Sequence, residues 1–252
     1  MGSVRLGLCY NPGILTQPRY RNALKSLDVL LFPELFDGGY AALQRGARPH
    51  SIRDDFLQSF RIASRRFSFC CIAGSTYLAD NKGYTNTSLS FRRGRCIHRY
   101  DKIHLFVPAG DRKFFRPGTR AGTFPIYSRS MRLRAGVIIC YDLRFPELTR
   151  TMALQGLQVL FVPARWPSAR DDAWQTLLKA RAIENQVFVV GCNAAGSEGG
   201  YSYAFDPLGR MIFSNRNKPP SPLQTFTFNP RRLMLARTLH NNLREAVLLR
   251  RT

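Results

Sequence analysis

The chain has 252 residues, of which 44% are hydrophobic and 12% aromatic, enough to bury a full core; this excludes a disordered or fibrous chain. The 38 Lys and Arg residues against 16 Asp and Glu give a net charge of +22, which favours anionic partners without choosing among them. No apolar stretch reaches the roughly 18 residues of a membrane helix, so a membrane-spanning protein is excluded at this stage.

Short apolar runs recur along the whole chain and predict strands. Several are apolar on both faces, as is typical of strands buried inside a layered α/β protein. They are Val4–Tyr10, Val29–Phe32, Phe69–Ala73, Thr85–Phe91, Cys96–Tyr100, Ala135–Cys140, Gln158–Val162, Val187–Cys192, Tyr201–Phe205 and Leu223–Phe228.

Segments of helical period lie between these runs. A helix is predicted to begin at the S-x-x-D pattern of Ser51 and Asp54, with a buried face made of Ile52, Phe56, Phe60, Ala63 and Phe67. Another helix begins near Pro146 and stops at Gly156. A third follows Ser168 and Asp171, and we expect it to bury Trp174, Leu177, Leu178 and Ile183.

The turn-forming stretches at 91–94 and 206–209 predict antiparallel hairpins. We therefore expect a mixed two-sheet sandwich rather than a purely parallel sheet. No repeat or low-complexity linker divides the chain, so residues 1–252 are interpreted as one domain.

The six cysteines lack C-x-x-C spacing, and neither a disulfide framework nor a zinc site is predicted. The first ten residues lack a secretory pattern. Reduced thiols and a cytoplasmic location are therefore expected.

Three polar residues follow apolar runs at positions where α/β sheets place their ligand sites. Glu34 follows Val29–Phe32, and an acid there can serve as a general base. Cys140 ends an apolar run before a sharp turn, where backbone N–H groups and the next helix would favour the thiolate. Lys102 follows the run at 96–100. Considered singly, each also has a structural reading, as a capping acid, a core thiol or a solvated amine.

Longer blocks of sequence favour the functional interpretation of these three residues over the structural one. The blocks are FPELFDGGY at 32–40, GSTYL at 74–78, YDKIHLF at 100–106, VIICYDLRFPEL at 137–148, WPSARDDAWQTLLKARAIENQ at 166–186, GCN at 191–193 and DPLGR at 206–210. Together they resemble the carbon-nitrogen hydrolase (nitrilase) superfamily, from about Val4 to about Phe213. The block at 166–186 resembles its ω-amidase-like branch in particular.

The resemblance implies a four-layer α-β-β-α sandwich with mixed sheets. It also implies a hydrolase that cleaves small amides through a cysteine thioester, with no metal or organic cofactor. Cys140 would be the nucleophile, Glu34 the general base and acid, and Lys102 with the backbone N–H of Tyr141 the oxyanion hole. ω-Amidase-like members release ammonia from short dicarboxylate monoamides, so an anionic substrate is expected.

Several positions depart from the family pattern or stay open. Asp111 lines up with a second glutamate of many relatives and could orient Lys102 or substrate with a shorter reach. Arg165 stands where a neutral polar residue is common, and could place a cation near the pocket mouth. Arg144 and Trp166 are candidate substrate contacts, with a salt bridge of Arg144 to Asp142 or Glu147 and simple core packing as the structural alternatives.

Alternative functions also remain open. An N-carbamoyl amide hydrolase or another amidase of the superfamily is possible, as is a basic polyanion-binding protein on an inactive scaffold, although no nucleic-acid-binding motif is present. His104 is a second candidate base for Cys140. The family's dimers lead us to expect a homodimer, and the arginine-rich tail at 229–252 is the candidate for its interface.

Overall fold

The structure is a computed structural model that describes residues 2–46, 50, 55–128, 131–196, 198–239 and 241–245. Its strands are β1 (Val4–Cys9), β2 (Val29–Leu31), β3 (Cys70–Ile72), β4 (Thr76–Asp80), β5 (Gly83–Arg92), β6 (Arg95–Asp101), β7 (Thr123–Tyr127), β8 (Arg132–Val137), β9 (Val159–Ala164), β10 (Phe188–Asn193), β11 (Tyr203–Phe205), β12 (Met211–Ser214) and β13 (Leu223–Phe228). Its helices are α1 (Arg21–Lys25), α2 (Gly39–Gln44), α3 (Asp55–Phe67), α4 (Asp111–Phe114), α5 (Pro146–Leu154), α6 (Asp171–Asn185), α7 (Arg231–Leu239) and α8 (Asn242–Glu245).

The strands form two mixed sheets. The first has the order β13-β1-β2-β3-β5-β4 with β6 paired to β5, and the second has the order β12-β11-β10-β9-β8-β7. In each sheet three neighbouring strands run parallel, β1-β2-β3 and β8-β9-β10, and antiparallel strands flank them. The expected mixed α-β-β-α sandwich is confirmed.

Strand β2 is apolar on both faces because it lies between two hydrophobic cores. Val29 and Leu31 belong to the core between the two sheets, whereas Leu30 faces a second core that contains Phe60 and Ala63 of α3. Side chains alternate across a strand, so a strand between two apolar layers needs hydrophobic residues at every position. The same rule accounts for β9 and β10, which are buried throughout.

The hairpins at 91–94 and 206–209 are confirmed by the β5–β6 and β11–β12 pairs. Strands β4, β7 and β12 were not predicted, because their short runs include exposed or polar positions. The expectation of one domain over 1–252 stays a prediction.

The predicted helices form, with corrections at their ends and faces. Phe60, Ala63 and Phe67 of α3 are buried as expected, while Ser51, Ile52 and Asp54 and the side chain of Phe56 lie outside the described residues. Pro146 opens α5 as predicted.

Helix α6 corrects the predicted start and the predicted buried face. It follows a 3₁₀ turn at Ser168–Arg170, and its N-cap, Arg170, makes no side-chain capping bond. Trp174 and Leu178 are buried and Leu177 is partly buried, but Ile183 is 42% exposed, although its side chain contacts Gly209 in the β11–β12 hairpin.

Candidate active site

The ends of three strands bring the predicted residues together. Glu34 lies three residues beyond β2, Cys140 lies three residues beyond β8 in the other sheet, and Lys102 directly follows β6. The side chains of Glu34 and Lys102 are fully buried, and Cys140 is buried with 8% of its surface exposed. The structure therefore brings the three predicted groups into one cleft.

Lys102 forms two buried ion pairs. Its Nζ lies 2.8 Å from Oε1 of Glu34 and 2.9 Å from Oδ2 of Asp111. Burial alone would lower the pKa of Lys102, but the negative charges around it, with Glu34 first, raise that pKa well above its ordinary value. The site therefore holds a fixed ammonium cation at neutral pH.

Both carboxylate oxygens of Glu34 accept hydrogen bonds. Oε1 accepts from Lys102 Nζ, from Asn86 Nδ2 at 2.9 Å and from the Tyr40 hydroxyl at 3.4 Å, while Oε2 accepts from the backbone N–H of Arg165 at 3.1 Å. These donors fix the orientation of the carboxylate. Sequence reasoning did not single out Tyr40 or Asn86, although Tyr40 ends the block at 32–40 and Asn86 lies in the predicted strand at 85–91.

Cys140 has the backbone conformation of a sharp turn. Its φ is 47°, in the left-handed region that a side chain makes unfavourable, and it opens a 3₁₀ turn at Cys140–Arg144 that leads into α5. The predicted sharp passage is confirmed. Such conformations persist only where the surrounding structure imposes them, as it does here between β8 and α5.

The protonation of Cys140 differs from the expectation. Burial, the negative charge of Glu34 and a hydrogen bond to Glu34 raise the pKa of the thiol well above its ordinary value, and the nearby Lys102 only partly offsets them. The expectation that the turn would favour the thiolate was therefore wrong for the resting site. The thiol needs a base, and Glu34 is the carboxylate whose charge acts on it.

Asp111 begins α4 and is completely buried. Its Oδ2 accepts hydrogen bonds from Lys102 Nζ and from the backbone N–H of Phe106 at 2.8 Å. Its Oδ1 has no hydrogen-bond partner among the described residues. The shorter acid thus reaches Lys102 and ties it to the loop after β6.

His104 is held by Asp142 and Phe145, and the described residues show no hydrogen bond between His104 and Cys140. Its Nδ1 and backbone N lie 3.0 Å and 2.8 Å from Oδ1 of Asp142, and its ring stacks on Phe145 with centroids 3.5 Å apart. Asp142 also accepts bonds from the Tyr100 hydroxyl and the backbone N–H of Ile139. This network links the segment that carries Lys102 to the turn that carries Cys140.

A cavity of about 500 Å³ opens onto Cys140 and Lys102. Phe106, Arg165, Pro167 and Arg170 line it and also line a small adjoining pocket, to which Tyr141, Arg144 and Trp166 contribute. The cavity has room for a small substrate in contact with the thiol.

Arg144 and Trp166 pack on each other at this pocket. The Arg144 guanidinium lies over the Trp166 ring, 4.9 Å from its centroid, and Trp166 is buried. Neither of the salt bridges considered for Arg144, to Asp142 or to Glu147, is found among the described residues. Asp142 pairs with His104 instead. Tyr141 directly follows Cys140, and its ring packs against Phe106 and Phe145.

No set of three or more His, Cys, Asp or Glu side chains in the described part of the chain could hold a metal ion. Likewise, none of the described helices is long and apolar enough to cross a membrane.

Comparisons with known proteins agree with this geometry. A family model for carbon-nitrogen hydrolases matches residues 19–223. The 2-oxoglutaramate amidase of Bacillus subtilis (strain 168) is 34% identical over 198 residues, which are 75% of this chain and 73% of that protein. The omega-amidase YafV of Escherichia coli (strain K12) is 34% identical over 200 residues, 77% of this chain and 75% of that protein.

A solved structure has the same fold. The crystal structure of XC1258 from Xanthomonas campestris, a CN-hydrolase superfamily protein, matches with a TM-score of 0.82 and 25% identity over 100% of both chains. The α-β-β-α sandwich described above is therefore the architecture of that protein as well.

Proposed function

Because the chain belongs to the carbon-nitrogen hydrolase family, we propose that it hydrolyses small amides at Cys140, with Glu34 as general base and acid and Lys102 as oxyanion donor. One observation carries the proposal: the fully buried ammonium group of Lys102 binds the Glu34 carboxylate at a cavity that Lys102 and Cys140 both line. Amide hydrolysis needs these three functions, because the amide carbon is a weak electrophile and nitrogen a poor leaving group.

In the first half of the reaction, Glu34 takes the thiol proton as Sγ attacks the amide carbon. The carbonyl oxygen becomes an oxyanion, which Lys102 Nζ and the backbone N–H of Tyr141 stabilise. The C–N bond then breaks, Glu34 gives its proton to the nitrogen, and ammonia leaves a thioester on Cys140.

In the second half, Glu34 removes a proton from water, whose oxygen attacks the thioester carbon. The second tetrahedral oxyanion collapses, the C–S bond breaks and the thiol recovers its proton from Glu34. The products are a carboxylic acid and the free enzyme, so protons balance over the cycle without any cofactor.

The substrate that we propose is a short dicarboxylate monoamide. Relatives at 34% identity are named 2-oxoglutaramate amidase and omega-amidase, which supports this class and gives no support to a polyanion-binding protein. The cavity also offers cations for a second carboxylate. Arg144 lies over the ring of Trp166, and Arg170 lies over the ring of Phe106. Both arginines are exposed, and neither has a carboxylate partner among the described residues.

We also propose that the protein forms a homodimer and is located in the cytoplasm. All six cysteines are free thiols, which is in keeping with a reducing compartment. The tail at 229–252 includes α7, whose exposed Met234 and Leu239 would suit a protein interface.

A panel of ω-amides, N-carbamoyl compounds and nitriles, assayed for ammonia, tests the proposal, with Cys140→Ala as the control. We expect the dicarboxylate monoamides to have the highest kcat/KM and the variant to be inactive. Preference for N-carbamoyl compounds would move the substrate to that class. Ammonia release by the Cys140→Ala variant at the wild-type rate would rule out the mechanism.

A further inference from the structure

Arg165, directly after β9, uses every nitrogen of its guanidinium group. Nε donates to the backbone carbonyl of Glu34 at 2.9 Å, and Nη2 donates to the carbonyl of Leu35 at 2.8 Å. Nη1 forms an ion pair with Oε2 of Glu198 at 2.9 Å. The side chain therefore binds the main chain on which the proposed base stands, and Glu198 neutralises its charge.

The backbone of Arg165 contacts the reacting groups themselves. Its N–H donates to Oε2 of Glu34 at 3.1 Å, and its carbonyl accepts a weak bond from the Cys140 thiol at 3.8 Å. One residue thus orients both the carboxylate and the sulfur, while its side chain fixes the segment beneath the carboxylate.

That segment has an unfavourable backbone conformation. Leu35 has a φ of 42°, in the left-handed region that a side chain makes unfavourable, and such a conformation persists only where neighbouring contacts hold it. The Leu35 carbonyl also accepts from the N–H of Gly39 at 2.8 Å. A Cβ at Gly39 would lie 2.7 Å from Cζ of Arg165, so the guanidinium packs directly against the start of α2.

We propose that Arg165 is a positioning residue for Glu34, held in place by Glu198, and not the receptor for the substrate's carboxylate. The inference rests on the proposed function, in which Glu34 is the base. A free arginine lining this cavity could bind an anionic substrate, but here two hydrogen bonds to carbonyls and one ion pair already engage the guanidinium. Its role is therefore to hold the base in reach of the thiol.

The test compares wild type with Arg165→Gln and Arg165→Lys, using a dicarboxylate monoamide and a neutral aliphatic amide. Because misplacement of a reacting group by 1 Å can cost about 10²-fold, we expect kcat to fall by about that factor for both substrates, with KM changing much less. Lysine keeps the charge but lacks the planar fork, so it should restore little activity.

A second readout does not depend on turnover. Iodoacetamide alkylates the Cys140 thiol, with sulfur replacing iodide and the thiol proton passing to the base; Cys140→Ala gives the background from the other thiols. We expect Arg165→Gln to slow this alkylation by at least about 10-fold near neutral pH, where the buried thiol depends on Glu34. Its pH profile should then approach that of the Glu34→Gln variant.

Arg150→Gln is the matched control, because Arg150 also donates to a main-chain carbonyl, that of Glu184, but lies on α5 away from the cavity. It should leave kcat and alkylation unchanged. Circular dichroism and thermal unfolding establish that each variant is folded, and Arg165→Lys provides a second variant if Arg165→Gln does not fold.

The proposal is overturned if the Arg165 variants raise KM for the dicarboxylate monoamide only, with kcat for the neutral amide and the alkylation rate unchanged. That result would make Arg165 the carboxylate receptor. A wild-type protein that releases no ammonia, yet whose alkylation still depends on Arg165 and Glu34, would contradict the proposed function and leave the positioning role supported.

Discussion

Oε1 of Glu34 accepts a hydrogen bond from Nζ of Lys102 at 2.8 Å, although 68 residues separate the two in the sequence. The bond joins the end of β2 to the end of β6 inside a buried site. It pairs an acid with a cation in a place where either charge alone would be costly to bury.

Glu34→Gln should abolish ammonia release, because glutamine cannot take the proton of a thiol whose pKa burial has raised. The substitution keeps the size of the side chain. Steady-state ammonia assays and thioester trapping in single-turnover experiments check the result. Turnover near the wild-type rate would assign the base to another residue.

Lys102→Met should lower kcat by about 10²–10³-fold, the usual effect of removing one oxyanion donor. It should also destabilise the fold by about 3–5 kcal/mol, because the buried carboxylates of Glu34 and Asp111 lose their cation. Kinetics and urea unfolding measure the two effects. A variant with unchanged kcat would show that Lys102 has only a structural role.

His104→Asn should retain most of the activity. The imidazole binds Asp142 and stacks on Phe145, and asparagine keeps a polar group beside that carboxylate. A kcat for small amides within about 10-fold of wild type is expected, since removal of a general base typically costs 10²–10⁴-fold. Loss as severe as that of Cys140→Ala would make His104 the base.

Arg170→Gln and Arg144→Gln should each raise KM for a dicarboxylate monoamide by roughly 10-fold or more, as expected for one hydrogen bond to a charged group. Arg170 lines the cavity and Arg144 the small adjoining pocket, and each guanidinium lies over an aromatic ring. A neutral aliphatic amide serves as the control and should be unaffected. Equal effects on both amides would show that these arginines do not bind the substrate's carboxylate.

His98 should make the fold less stable in mild acid. Its ring stacks on Phe124, and burial lowers its pKa to about 4 from the ordinary 6.5. Between these values the unfolded chain binds the proton and the folded chain does not, so stability falls as pH drops through this window.

The His98→Phe variant should lose about 2–3 kcal/mol less stability than wild type between pH 7 and pH 4. Phenylalanine can keep the stacking on Phe124 but cannot titrate. Urea unfolding at both pH values measures the difference. Parallel losses in the two proteins would mean that His98 does not titrate between these values.

The sequence by itself determined the layered arrangement of the strands and the chemical groups of the candidate active site. Runs apolar on both faces, such as Val29–Phe32, are typical of strands covered on both sides, and together with the hairpin-like stretches they predicted a mixed two-sheet sandwich. The blocks around Glu34, Lys102 and Cys140 resemble the carbon-nitrogen hydrolase family, and that resemblance implied which groups meet, although the strands before them belong to two different sheets.

Only the tertiary structure decided the protonation of Cys140 and the role of Arg165. The pKa of a thiol depends on burial and on charges from distant segments. For Cys140, burial and Glu34 raise the pKa and Lys102 lowers it. Arg165 looked like a cation at the pocket mouth, yet contacts with Glu34, Leu35 and Glu198 engage it fully. Such long-range partners are chosen by packing, and no local pattern of residues encodes them.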